Sequence, residues 1–129
     1  MAESRRWPVE SKEFELQIKG GASGVRIFER KRKQRSIFLK KDEVAWLAKT
    51  VKEVVVVEMS EVFWDQSSAG YPMIITQKCS NMHQRFLTVE EFDGRRICGA
   101  ILIPKGRYGQ GWDRFVSEVR LANSVLHKV

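Results

Sequence analysis

Residues 36–51 read SIFLKKDEVAWLAKTV, and residues 100–119 read AILIPKGRYGQGWDRFVSEV. Each stretch is an apolar strand that runs into an amphipathic helix. Val44, Leu47, Ala48 and Val51 fall at i, i+3, i+4 and i+7, and Trp112, Phe115, Val116 and Val119 repeat that spacing. Such a stripe is one face of an α-helix. The strands ahead of the helices also match, Ser36 to Lys40 against Ala100 to Pro104. The chain therefore reads as one unit written twice. A strand-rich unit closed by one helix leaves a sheet face and a helix stripe uncovered, so the two copies must cover each other. The expected fold class is α+β, with pseudo-two-fold antiparallel sheets and the order βββα or ββββα occurring twice.

Working outward, residues 1–13 read as a flexible N-terminal arm anchored by Trp7. Residues 14–129 read as one domain, with repeat one over 14–57 and repeat two over 62–126. Phe14 to Ile18 and Val25 to Arg30 alternate apolar and polar residues, as half-buried strands do. Gly20 to Gly24 and Ser67 to Gly70 read as loops. Asp42 is the expected cap of the first helix, and β-branched Val54 to Val57 end it. Asp93-Gly94 signals a type I′ hairpin. Ile97 to Ile103, the longest apolar run, is expected to be a central strand covered on both faces. Gly106 to Gly111 reads as a flexible lead-in turn, with the last helix starting near Trp112.

The chain has 129 residues, 43% of them hydrophobic, which is enough for a core. Lys plus Arg number 23 and Asp plus Glu 16, so the net charge is +7 and a polyanionic partner is favoured. No apolar run is long enough to span a bilayer, and residues 1–11 carry both charge signs, unlike a secretory signal. Cys79 and Cys98 sit in apolar runs and read as buried free thiols of a nuclear or cytoplasmic protein. Nothing has zinc-ligand spacing. His83 and His127 are isolated, and adjacent Glu90 and Glu91 point to opposite faces of a strand. The expectation is a protein that is not an enzyme, with no cofactor, no metal, no small-molecule substrate and no membrane partner.

The candidate site is basic and aromatic. Arg26, Phe28 and Arg30 alternate along one strand and share a face. Lys33 and Arg35 follow in a basic hairpin that reads equally well as a ligand contact, a solvated turn or a nuclear-localisation patch. Cations for phosphates beside a ring for a base are what a single strand of nucleic acid needs. In repeat two, Phe86 either faces a ligand or packs under a neighbour. Arg107 and Tyr108, in the Gly-rich loop, read as an interaction loop, and Trp46, off its helix stripe, reads as helix-edge packing or an oligomer contact.

Two stretches carry a resemblance. Ser80 to Leu87, with Gln84-Arg85-Phe86-Leu87, resembles the turn and strand of Pur-alpha-like repeats. Ile101 to Pro104 with Trp112 to Phe115, and Ser36 to Val51, resemble the strand-to-helix junction of the same repeats. The layout is also similar to Whirly proteins and positive-cofactor-type coactivators. Repeat one offers Gly24-Val25-Arg26-Ile27 where repeat two has its Arg-Phe-Leu opening. The resemblance implies single-stranded DNA or RNA as the partner, a role in transcription regulation or RNA handling, and contacts from Gln84 and Arg85. A homodimer is expected on the same ground. The alternative is a protein-interaction module on this fold, docking through Trp46, Tyr108 and the Gly-rich loop.

Overall fold

A computed structural model describes residues 3–18, 24–58, 61–66 and 72–128. The expected loops at 20–23 and 67–70 lie outside these residues. Repeat one runs β1 (Glu3–Val9), β2 (Lys12–Ile18), β3 (Gly24–Arg30), β4 (Gln34–Lys40) and α1 (Lys41–Val56). Repeat two runs β5 (Val62–Gln66), β6 (Pro72–Ser80), β7 (Arg85–Asp93), β8 (Arg96–Pro104) and α2 (Gln110–Leu126). Each repeat forms one antiparallel meander of four strands, and its helix follows the fourth strand. The fold is α+β, ββββα twice.

The expected N-terminal arm is instead strand β1, paired with β2 from Glu3↔Ile18 to Val9↔Lys12. Its polar residues hid it. On β1 only Trp7 and Val9 are buried, so the alternation has two apolar points and no more. Trp7 stacks on Phe14, ring centroids 5.9 Å apart.

The helices interlock the repeats. The two pack on each other, and each also reaches the other repeat's sheet, α1 on β6 and α2 on β2. Arg114 of α2 lies over the Trp7 ring, and Arg5 of β1 pairs with Glu118 of α2. Val44, Leu47, Val51, Phe115 and Val119 are buried as the stripes require, while Val116 is half-buried at the core margin. Lys40, rather than Asp42, caps α1. Glu43, one turn in, accepts from Lys40 N at 2.8 Å, and Asp42 accepts from Glu43 N. The helix runs on through Val56.

Strand β8 is not central. It is the edge of its sheet, and it packs against β4, the edge of the other. Its first residues, Arg96 to Cys98, are exposed, and its apolar side chains are covered from Ile101 onward. Cys98 is therefore exposed and Cys79 half-buried, neither in a disulfide. The β7–β8 turn falls on Gly94-Arg95, between paired Asp93 and Arg96. Only Gly94 has positive φ, which fits type II′ rather than I′.

Two carboxylates join the edges. In register, Val25 pairs Leu39 and Leu87 pairs Ile103, so Glu29 and Glu91 occupy equivalent positions of the two repeats. Glu29 Oε1 accepts from Leu102 N at 2.7 Å, and Glu91 Oε1 accepts from Phe38 N at 3.0 Å. Phe38 and Leu102 are themselves equivalent. Each repeat thus satisfies the edge amide of the other, which keeps both edges from pairing with a foreign strand. Glycine at 99 is required by this joint, because an added Cβ would sit 2.3 Å from Ser36 O.

Candidate nucleic-acid interface

Alternation on β3 is as expected. Val25, Ile27 and Glu29 are buried, while Arg26, Phe28 and Arg30 are half-buried on the outer face of the first sheet. The Arg30 guanidinium lies 4.8 Å from the Phe28 ring centroid, and that of Arg26 lies 5.4 Å from Phe38. Arg26 Nη1 also donates to Ser36 Oγ at 3.3 Å. This is a cation–aromatic row, but its charge is partly spent. Glu15, buried on the adjacent strand of the same face, pairs with Arg30 at 2.6 Å and Arg6 at 3.5 Å.

Hydrogen bonds from Ser4 and Gln17, reinforced by Arg30 and Arg6, hold the Glu15 carboxyl at about 2, against an ordinary 4.5. A depressed carboxyl contributes stability that is complete above its ordinary value and is lost as pH falls through the folded one. The melting temperature should therefore drop between pH 4.5 and about 2, and Glu15→Gln should flatten that drop. At neutral pH the same substitution should cost roughly 1–3 kcal/mol, because a buried carboxylate's charge-assisted hydrogen bonds to Ser4, Gln17 and Arg30 are lost. Melting curves of both proteins across that range check this, and parallel pH profiles would contradict it.

A second cluster forms where the β3–β4 hairpin overhangs the outer face of the second sheet. Lys31, Arg32, Lys33 and Arg35 from the hairpin meet Gln84, Phe86 and Leu102 around a cleft of about 600 Å³. None of the four hairpin cations has an ion-pair partner among the described residues. Phe86 is half-buried, with Lys12 Nζ 5.8 Å from its ring centroid. Lys12 is itself mostly buried. It pairs with Glu29 at 3.2 Å and donates to Leu102 O at 3.0 Å. Gln84 donates to the Glu10 carboxylate at the end of the cleft.

The sequence-predicted residues therefore divide. Lys33, Arg35, Gln84 and Phe86 converge in the cleft. Arg26, Phe28 and Arg30 form the row on the other side of the same hairpin. Arg85, next to Phe86 on a strand, points to the opposite face and lines a small hollow with Glu58, Lys78 and Trp112. The two aromatic positions are not equivalent in the two repeats. By the ladder register the equivalent of Phe28 is Glu90 and that of Phe86 is Gly24. Arg107 and Tyr108 lie in a single turn over Arg107–Gly109, tied by Gly109 N to Gly106 O and Gly111 N to Lys105 O. Tyr108 is 90% exposed with φ of 56°, a left-handed conformation unusual for a bulky residue.

Lys12, Glu15 and Glu29 were missed from sequence. Glu29 did leave a signal, a carboxylate at the inward position of an alternating strand, where a partner is obligatory. Among the described residues no His, Cys, Asp and Glu cluster could hold a metal ion, and no helix is long and apolar enough to cross a membrane.

Comparison with protein-family models finds no match, and neither does comparison with curated proteins.

Proposed function

We propose that this chain binds single-stranded DNA or RNA in the cleft between the β3–β4 hairpin and the outer face of the second sheet. The observation that carries this is the convergence with Gln84 and Phe86 of four hairpin cations that have no ion-pair partner among the described residues. Backbone phosphates would run along Lys31, Arg32, Lys33 and Arg35, and a base would stack at Phe86. Arg26 continues the basic path around the hairpin, whereas Arg30 belongs first to Glu15. The likeness of Gln84 to Leu87 and of the strand-to-helix junctions to Pur-alpha-like repeats supports the same reading. On that reading the chain is a nuclear or cytoplasmic regulator of transcription or RNA handling.

Phe86→Ala should weaken binding of a labelled oligothymidylate by roughly 1–3 kcal/mol and leave the salt slope unchanged, because stacking releases no counterions. Anisotropy titrations at two salt concentrations read both quantities. A folded Phe86→Ala protein that binds as tightly as wild type would remove the stacking platform from the account.

The same reading includes a homodimer. Val62 and Trp64 are exposed on the edge strand β5 of the second sheet and Val56 at the end of α1, more apolar surface than a monomer needs. Sedimentation at micromolar concentration should give twice the chain mass, and a monomer mass would contradict it. Exposed, left-handed Tyr108 favours the second reading, a protein-interaction module using Arg107 and Tyr108, while Trp46 is half-buried and packs against the core. It takes precedence if single strands bind no more tightly than duplexes.

A further inference from the structure

A different surface points to a second partner. Helices α1 and α2 lie side by side, and their outward seam is floored by short side chains, Ala45 and Ala48 from one and Ser117 and Ser124 from the other. The floor leaves a groove of about 540 Å³. Lys49 and Lys52, one turn apart, rim it on one side, and Arg120 rims it on the other. All three are exposed, and none has an ion pair among the described residues. Among the described residues no carboxylate lines the groove. Leu121, 40% exposed, supplies an apolar contact at its edge.

We infer that this groove docks an acidic amphipathic helix of another protein. Three unneutralised cations around the groove are complemented by carboxylates opposite them. Short floor residues let a helix backbone approach closely, and Leu121 meets its apolar face. A second copy of this chain does not fit, because the same cations would face each other. Nucleic acid fits poorly, since no lining residue is aromatic and bases would have nothing to stack on.

The test uses a fluorescein-labelled amphipathic peptide of Glu, Ala and Leu, its Lys-for-Glu counterpart, and an oligothymidylate. The acidic peptide should bind saturably and the lysine peptide should not. The exposed triple variant Lys49→Glu/Lys52→Glu/Arg120→Glu should weaken the acidic peptide by at least about tenfold and leave the oligonucleotide within about twofold. Amide shifts of the wild-type protein on adding acidic peptide should centre on Ala45, Ala48, Ser117 and Ser124, a readout that needs no variant. Absence of saturable binding, equal binding to the triple variant, or shifts centred elsewhere would overturn the inference. Loss of the oligonucleotide in parallel with the peptide would also overturn it, assigning the groove to nucleic acid. Failure of the single-strand reading at the sheet cleft leaves the expected peptide result unchanged.

Discussion

Glu29→Ala should destabilise the fold by about 3–5 kcal/mol, the cost of breaking a buried ion pair by removing one partner. The carboxylate serves both repeats at once. Its Oε1 accepts from Leu102 N, and its Oε2 lies 3.2 Å from Lys12 Nζ, whose side chain is only 14% exposed. Alanine leaves a mostly buried ammonium with Leu102 O but no counter-charge, and a strand-edge amide without an acceptor. Among the described residues its equivalent Glu91 holds the amide of Phe38 and no ammonium, and it is half-buried, so Glu91→Ala should cost about 1–2 kcal/mol. Urea unfolding midpoints give both values. Adding Lys12→Met to Glu29→Ala should recover part of the loss, because the stranded charge is then gone. A Glu29→Ala protein within about 1 kcal/mol of wild type would mean that the repeats are held by helix packing alone.

The largest functional effect is expected from Lys31→Glu/Lys33→Glu/Arg35→Glu. All three residues are exposed on the hairpin and have no ion-pair partner among the described residues, so stability should stay within about 0.5 kcal/mol per site. Binding of a single strand should fall by about a hundredfold or more, and the salt slope should shrink by about 0.7 for each phosphate no longer neutralised. Arg30→Ala makes the contrast. It breaks the Glu15 pair, so its main effect should be on stability rather than affinity. Retention of wild-type affinity by the folded triple variant would take the ligand away from this cleft.

Much of the architecture was legible because both helices carry complete apolar stripes and strands β3 and β4 alternate cleanly. Strand β1 was not legible, because Trp7 and Val9 alone mark its buried face. The edge position of β8 was hidden for the opposite reason. Its continuous apolar run reads as two-faced burial, but half of that cover comes from the facing β4 edge and Gly99's close approach, which no local pattern encodes. The candidate site was half legible. Face-sharing by Arg26, Phe28 and Arg30 follows from strand period, which says nothing of Glu15 on the neighbouring strand. The gathering of Lys33 and Arg35 with Gln84 and Phe86 depends on how the two sheets meet along β4 and β8, a tertiary fact with no sequence signature. Arg85 lies outside the cleft because strand alternation sends it away from Phe86.

The most direct test of the central proposal is an anisotropy titration of the wild-type protein with a single strand and with a duplex of the same sequence, each at two salt concentrations. A cleft with four free cations and an aromatic floor predicts saturable single-strand binding, tighter than duplex binding by at least about tenfold, with the preference surviving higher salt because stacking is not screened. Equal binding to both forms, vanishing together as salt rises, would contradict it.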